Sequence, residues 1–207
     1  MRFSTKENLT KEEHIYLKFA AYSALIDFGE HVLPVLPDFS QIINSSIYIL
    51  PMQLISQKLG YEGNCFSEAG DGLAVYITET GHYIILFDEQ SSSPDIRWTI
   101  ARLLYLVWTG RLKDQPDVFH YTDNIEDTAR CDIFAYYFTC PDIILKECSI
   151  SNASDIIEYC GIPFSNADIK SRLLSTAADS KSLQLIEEIL KTDFASDIER
   201  IRHMKKT

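Results

Sequence analysis

The chain has 207 residues, of which 46% are hydrophobic and 12% aromatic, enough to bury the core of one domain. Its formal net charge of −11 opposes binding to a phosphate backbone unless a local basic patch offsets it. No apolar stretch reaches the roughly 20 residues of a membrane-spanning helix, and the N-terminal segment lacks the apolar centre of a signal peptide. We therefore expect a cytoplasmic protein that binds no membrane, and the net charge disfavours a nucleic-acid partner.

The cysteines argue against two common kinds of small-protein scaffold. Five are present, at positions Cys65, Cys131, Cys140, Cys148 and Cys160. An odd count without a CxxC pair fits neither a disulfide framework nor a thiolate zinc finger. We interpret them as free thiols, most of them buried.

The N-terminal part of the chain predicts helices. Thr10 and Glu13 have the spacing of a capping box, and apolar residues recur at helical intervals as far as Val32. A short helix is predicted near residues 39–44. Another is predicted from a proline to a glycine cap, over residues 51–60.

The middle of the chain predicts a hairpin followed by a central helix. Two β-branched and aromatic runs joined by a short link containing glycine occupy residues 73–88. The segment Ser93-Pro94-Asp95 is a strong helix start, with Ser93 as the cap, and Gly110 is well placed to end the helix. The helix between them is apolar almost all round, so it should run through the interior of the fold.

The C-terminal third predicts further helices. One spans about residues 123–139 and ends before Pro141, because proline cannot continue the helical hydrogen bonding. The next ends at Gly161, and another starts over residues 165–168. A single amphipathic helix is predicted over residues 185–201. The expected fold class is α+β and mostly helical.

The order of these elements, together with three segments, resembles the ImmA/IrrE family of zinc metallopeptidases. The stretch RWTIARLLYL over residues 97–106 is similar to the family's Arg, aromatic and Thr-Ile-Ala sequence before His-Glu-Leu-Gly-His. The stretch FAYYFTCP over residues 134–141 is similar to its Phe-Ala-x-x-Leu-Leu-Met-Pro. The segment over residues 155–173 resembles the family's segment after the active site. The matched region covers residues 73–174.

The resemblance implies a zincin-like domain in which a small antiparallel sheet packs on the central helix. It places this domain and its N-terminal helices in residues 1–147, and a C-terminal helical subdomain in residues 148–207. It also implies a bacterial, phage or mobile-element protein. Active members of the family cleave helix-turn-helix repressors and so relieve transcriptional repression.

Carried over residue by residue, the catalytic groups of the family are missing. The first zinc histidine falls on Arg102, the general-base glutamate on Leu103, the second histidine on Leu106 and the glutamate ligand on Arg130. Zinc needs imidazole, thiolate or carboxylate ligands, and a guanidinium group offers only hydrogen-bond donors. Leucine cannot take a proton from a metal-bound water. We expect an inactive homologue without zinc or another cofactor, which binds a protein partner such as a helix-turn-helix repressor.

Arg102 is the most informative of these positions. A charge on an otherwise apolar helix must be paired or reach solvent, because an unpaired buried charge costs several kcal/mol. Under the family geometry, Asp132 is its candidate partner. The alternative hypothesis is that Arg102 and Arg130 form a cationic cleft that grips a carboxylate.

Two other function classes are open. One is an active metallopeptidase or hydrolase with relocated ligands. Its candidates are the residues clustered in sequence at His120, Asp123, Glu126, Asp127 and Asp132, although an acidic helix start explains them better.

The other class is a DNA-binding regulator. The segment over residues 155–173 superficially resembles a helix-turn-helix, but it carries only Lys170 and Arg172 as cations against three carboxylates. We interpret it as a packed helical pair.

Overall fold

A computed structural model describes most of the chain as an α+β fold with one small sheet. The described residues are 9–28, 31–36, 39–43, 46–61, 66, 70–122, 128–176 and 181–206. The helices are α1 (Lys11–Phe28), α2 (Met52–Lys58), α3 (Ser93–Trp108), α4 (Arg111–Asp114), α5 (Thr128–Thr139), α6 (Asp142–Glu147), α7 (Ala153–Cys160), α8 (Phe164–Thr176), α9 (Gln184–Asp193) and α10 (Ala195–Met204). The strands are β1 (Gln41–Ile43), β2 (Ile47–Pro51), β3 (Gly72–Ile77), β4 (His82–Phe87) and β5 (His120–Tyr121).

The sheet is mixed, with strand order β1-β2-β4-β3-β5. The predicted hairpin is confirmed as β3 and β4, which pair antiparallel from Gly72 opposite Phe87 to Ile77 opposite His82. Strand β2 pairs parallel with β4, so the expectation of a purely antiparallel sheet is wrong. Parallel strands need a crossover connection, and here α2 lies between β2 and the hairpin in the chain.

The two faces of the sheet bury different layers. Side chains alternate along β4, so Ile85 joins the large core cluster while Leu86 joins a small cluster on the opposite face. The small cluster includes Met52 of α2. Helix α3 packs on the large-cluster side, against β3 and β4 and against α5. This agrees with the prediction that the apolar helix runs through the interior.

Gly72 allows α3 to approach the sheet closely. A Cβ atom at this position would lie 2.5 Å from Cγ2 of Thr99 and 3.1 Å from Cδ1 of Leu103. Any larger residue would therefore push α3 away from β3.

Local signals place most helix ends correctly. Thr10 and Glu13 form the predicted capping box, since each backbone amide donates to the other's side chain. Helix α3 ends before Gly110, which has a φ of 75°, and α7 ends at Gly161, which has a φ of 57°. Helix α5 ends before Pro141, as predicted.

Several predicted boundaries are wrong. Helix α1 ends at Phe28 instead of Val32. The segment predicted as a short helix forms β1, and its last residue, Asn44, lies outside the described residues. The cap of α3 is Ser92, not Ser93. The predicted C-terminal helix is two helices, because the backbone leaves the helical conformation at Phe194. The predicted start of α5 at residues 123–127 lies outside the described part.

One hydrophobic cluster joins the N-terminal and C-terminal helices. It includes Leu25 of α1, Phe138 of α5, Phe194 between α9 and α10, and Ile201 of α10. The division into residues 1–147 and 148–207 stays a prediction. Among the described helices, none is both long enough and apolar enough to cross a bilayer.

Candidate functional site

Helix α3 buries two of the positions where the resemblance would place catalytic groups. The helix starts at Ser92, whose hydroxyl accepts a hydrogen bond from the amide of Asp95 at 3.4 Å. Leu103 is 0% exposed and Leu106 4% exposed, and both belong to the large core cluster. No water-filled space can surround either side chain at this burial, so the general-base and second-histidine positions are part of the packed interior.

Arg102 lies on the rim of the same helix and is paired as predicted. Its Nε atom lies 2.9 Å from Oδ1 of Asp132 on α5, and the side chains are 17% and 38% exposed. The distance is that of an ion pair, although the N–H is not aligned for a hydrogen bond. Burial raises the pKa of Asp132, and the opposing attraction of Arg102 does not cancel this effect.

Arg130 forms a second ion pair, which was not predicted. Its guanidinium group donates to Oε1 of Glu13 on α1. The hydrogen bond from the amide of Thr10 and the bond from Arg130 lower the pKa of Glu13 to about 2. Sequence reasoning assigned Glu13 only to the helix cap, but the same carboxylate also holds α5 against α1. We call Arg102–Asp132 and Arg130–Glu13 the rim pairs.

The residues at the four positions do not fit a zinc ion. Two are buried leucines, and two are guanidinium groups already paired with carboxylates. The alternative ligand cluster is only partly described, since Asp123, Glu126 and Asp127 lie outside the described residues. Asp132 is held by Arg102. Within the described ranges, no three His, Cys, Asp or Glu side chains are grouped to hold a metal ion.

A cavity of about 210 Å³ lies beside the rim, where α1, α3, α4 and α5 meet. Its walls include Glu13, Tyr16, Tyr105, Arg111 and Arg130. The guanidinium group of Arg111 lies 5.9 Å from the centre of the Tyr105 ring.

This cavity bears on the hypothesis of a cleft formed by two arginines. Arg102 is not among its described lining residues, and the combination of Arg102 and Arg130 stays a prediction. Arg111 on α4 lines the cavity together with Arg130. Sequence reasoning missed Arg111 because helix α4 was not predicted.

Arg97 ties α3 to two loops. Its Nε atom donates to the carbonyl of Val35 at 2.7 Å, and its Nη1 atom donates to the carbonyl of Gly161 at 2.6 Å. A Cβ atom on Gly161 would lie 2.7 Å from the same Nη1 atom. The sequence contained a signal for this role, since a cation near the start of a helix is disfavoured by the helix dipole and needs another function.

A buried charge network lies at the other end of α5, away from any predicted site. Asp142 of α6 accepts Nζ of Lys170 at 2.5 Å through Oδ1 and lies 3.2 Å from Nζ of Lys18 through Oδ2. Lys18 also lies 3.0 Å from Oε1 of Glu187. We call these four residues the buried charge network. Their side chains are between 1% and 19% exposed.

The network joins α1, α6, α8 and α9. Burial alone would raise the pKa of Asp142, but Lys170 and then Lys18 hold this pKa below its ordinary value. No sequence signal could reveal the network, because its members come from four helices far apart in the chain.

Lys170 bears on the DNA-binding interpretation of residues 155–173. It is fully buried, so it cannot reach a phosphate, and Arg172 pairs with Asp168 on the same helix at 2.9 Å. Helices α7 and α8 pack together as a pair, as predicted.

The cysteines in the described part are buried free thiols, as interpreted from the sequence. These are Cys131, Cys140, Cys148 and Cys160. Cys65 lies outside the described residues.

Comparison with known proteins identifies no relative. No protein-family model matches the chain, and no curated protein matches it.

Proposed function

We propose that this protein is a noncatalytic, zincin-like relative of the ImmA/IrrE metallopeptidases that binds a partner protein without cutting it. The candidate partner is a helix-turn-helix repressor. One observation carries the proposal: the four positions of the catalytic constellation are two core leucines and two arginines in ion pairs. An HExxH centre needs three metal ligands and a base, and the residues here supply neither function.

The fold around these positions supports the assignment to a zincin-like class. An apolar helix, α3, packs on a small sheet and against α5, which ends before a proline. This matches the order and packing that the resemblance implies for the protease.

The edge of β3 is covered by the chain itself. The amide of Asp117 donates to the carbonyl of Tyr76 at 2.8 Å, and the amide of Thr78 donates to Oδ1 of Asp117 at 3.0 Å. Strand β5 pairs with Leu73 and Ala74 of the same edge. A partner therefore cannot dock by adding a strand to β3.

Elemental analysis of the purified chain tests the absence of zinc-dependent catalysis. Elemental analysis after purification without chelator should find no stoichiometric zinc, because no ligand position carries a zinc donor. About one equivalent of zinc per chain, retained on dialysis, would overturn the proposal and favour an active enzyme with relocated ligands.

Co-expression with a candidate helix-turn-helix repressor tests the partner. We expect a complex by size-exclusion chromatography that contains the repressor at its full mass. An unrelated helix-turn-helix repressor serves as the control and should elute alone. A shortened repressor would show that the chain is a peptidase, and the absence of a complex would refute the binding function.

A further inference from the structure

Two of the buried thiols meet where separate helices end. Cys140 lies at the junction between α5 and α6, and Cys160 is the last residue of α7. Both residues are 0% exposed, and a hydrogen bond joins the two thiol groups. We call Cys140 and Cys160 the thiol pair. The pair is made by helix packing, since its members do not form a CxxC motif in the chain.

Buried cations lie beside the thiol pair. Lys170 of α8 is 0% exposed and attracts a negative charge on either sulfur atom. Arg97 of α3 is 6% exposed, interacts electrostatically with both sulfur atoms, and donates to the carbonyl of Gly161 directly after α7. Asp142 opposes a negative charge on Cys140, but its Oδ1 atom accepts a hydrogen bond from Nζ of Lys170. A thiolate at this place therefore has cationic partners despite its burial.

The two thiols differ in acidity. Burial alone would raise the pKa of Cys140. The hydrogen bond from Cys160 and the charge of Lys170 outweigh burial and hold this pKa below its ordinary value, with a further contribution from the hydroxyl of Thr139 at 3.5 Å. The hydrogen bond to Cys140 and burial raise the pKa of Cys160 well above its ordinary value. Cys140 is therefore the nucleophile of the pair, and Cys160 is the thiol in contact with it.

The thiol pair lies at helix ends, where a fold opens most easily. Cys140 precedes Pro141, which cannot continue the helical hydrogen bonding, and Cys160 precedes Gly161, which has a φ of 57°. Local opening at such ends needs less free energy than unfolding of the core. A small oxidant can reach the sulfur atoms through such an opening, and two thiols in contact need only a small displacement to form a bond.

We propose that Cys140 and Cys160 form a reversible disulfide when the chain meets hydrogen peroxide, which ties the junction of α5 and α6 to the end of α7. This inference concerns helices away from the rim and does not depend on the proposed function.

The reaction proceeds in two steps. The thiolate of Cys140 attacks one peroxide oxygen, so that an S–O bond forms, the O–O bond breaks and the leaving oxygen takes up protons as water. The sulfur atom of Cys160 then loses its proton and attacks Sγ of Cys140, so that the S–S bond forms, the S–O bond breaks and a second water leaves. Two thiols are oxidised to one disulfide, and one hydrogen peroxide is reduced to two waters.

The buried cations also predict that the disulfide is easily reduced. Lys170 and Arg97 stabilise a thiolate but gain nothing from a neutral disulfide. Stabilising the reduced form makes a disulfide more oxidising and therefore more readily reduced by small thiols. Glutathione should consequently restore both thiols, whereas a structural disulfide would resist it.

The test uses the full-length chain, reduced at the start and kept under native conditions. It is treated with equimolar hydrogen peroxide, the remaining thiols are alkylated in denaturant, and the products are mapped by mass spectrometry. Before alkylation the intact mass should fall by about 2 Da, because two hydrogen atoms are lost. The peptides that contain Cys140 and Cys160 should be cross-linked, and reduced glutathione should separate them.

Two alanine variants separate the roles of the thiols. In Cys160→Ala, oxidised Cys140 should persist as a sulfenic acid that dimedone labels, because no second thiol resolves it. The matched control is Cys148→Ala, which removes another buried thiol, whose pKa burial raises to about 11. This control should form the disulfide as the native chain does. A melting temperature close to that of the native chain shows that each variant is folded.

Four results from the native chain would overturn the inference, and they decide it even if a variant fails to fold. These are alkylation of every cysteine after peroxide treatment, oxidation of Cys140 that stops short of a disulfide, a disulfide between Cys148 and Cys160, and a disulfide that glutathione cannot reduce.

Discussion

The buried charge network and the Arg102–Asp132 pair use the same chemistry with opposite results. Asp142, in the network, lies between two ammonium groups that hold its pKa below the ordinary value despite burial. Asp132, on the rim, lies beside the guanidinium group of Arg102, whose Nε–H is not aligned for a hydrogen bond, and its pKa is raised. Both carboxylates lose solvent, so the number and geometry of their cations decide the sign.

This difference separates a carboxylate that holds the fold together from one that can be changed at little cost in stability. A carboxylate stabilised by two buried cations holds four helices together and cannot be changed without exposing unpaired charge. A half-exposed pair near energetic balance contributes little to stability. The Arg102–Asp132 pair can therefore be changed at little cost in stability, whereas residues of the network cannot.

The largest effect is expected where the rim meets the core, at Leu103 and Leu106. Changing Leu103→Glu and Leu106→His together places two polar groups in a packed interior and should cost on the order of 5 kcal/mol, a large part of a typical domain's stability of about 5–15 kcal/mol. Thermal melts with and without zinc measure it. Zinc should restore stability only if Arg102→His and Arg130→Glu are added, because the guanidinium groups oppose a cation.

Melting of the double variant within about 2 °C of the native chain would contradict this expectation. These positions would then line a hydrated cleft, and the boundary between rim and core would lie elsewhere.

The second largest loss of stability is expected in the buried charge network. Asp142→Asn leaves Lys18 and Lys170 without their shared carboxylate and should lower the free energy of unfolding by about 3–5 kcal/mol, measured by denaturant titration at neutral pH. The matched control is Asp168→Asn, because its partner Arg172 is highly exposed, and it should change stability by less than about 0.5 kcal/mol. A small effect for both would show that the network does not hold the helices together.

The pH dependence of the free energy of unfolding of the native chain should also reflect the titration of Asp142. Because the folded-state pKa of Asp142 is lowered, its stabilisation is present above the unfolded pKa, near 3.9, and is lost as the pH falls through the folded pKa. The acid loss of stability should be shallower in Asp142→Asn. If stability fell equally steeply at acid pH in Asp142→Asn and in the native chain, the assignment of this pH dependence to Asp142 would be contradicted.

The third effect concerns the approach of α3 to the sheet, which positions Arg102 opposite Asp132. Gly72→Ala should cost about 1–3 kcal/mol, because the added methyl group meets Cγ2 of Thr99. Adding Thr99→Ser removes that methyl group and should recover part of the loss. Equal stability losses with and without Thr99→Ser, measured as a double-mutant cycle, would show that the contact is not the cause.

The smallest effect is expected at the rim. Asp132→Asn should change the free energy of unfolding by no more than about 1 kcal/mol at neutral pH, since the carboxylate is 38% exposed. The sign of its pH dependence is opposite to that of Asp142. Because the folded-state pKa of Asp132 is raised, its contribution is present below the unfolded pKa and is lost as the pH rises through the folded pKa.

Stability of the Asp132→Asn and Asp142→Asn chains, measured between pH 3 and 7, roughly the range in which carboxyl groups titrate, distinguishes the effects of the two carboxylates. The stability of the Asp132→Asn chain should rise relative to that of the native chain as the pH rises. A loss as large as that of Asp142→Asn would remove the distinction between network and rim.

The sequence by itself determined the features that depend on neighbouring residues. The capping box at Thr10 and Glu13, the helix ends at Gly110 and Gly161 and the β3–β4 hairpin were all readable, because backbone conformation responds to local chemistry. A partner for Arg102 could also be predicted, because a charge on an apolar helix needs one. The choice of Asp132 followed from the family resemblance.

Only the tertiary structure decided the features that join distant segments. Strand β1 formed where a helix was predicted, since a short apolar run takes the conformation of the strand beside it, here β2. The buried charge network, the Arg130–Glu13 pair and the cavity beside Arg111 bring together residues from separate helices. Such groupings depend on helix packing, and no periodicity or spacing along the chain encodes which charged side chains will meet.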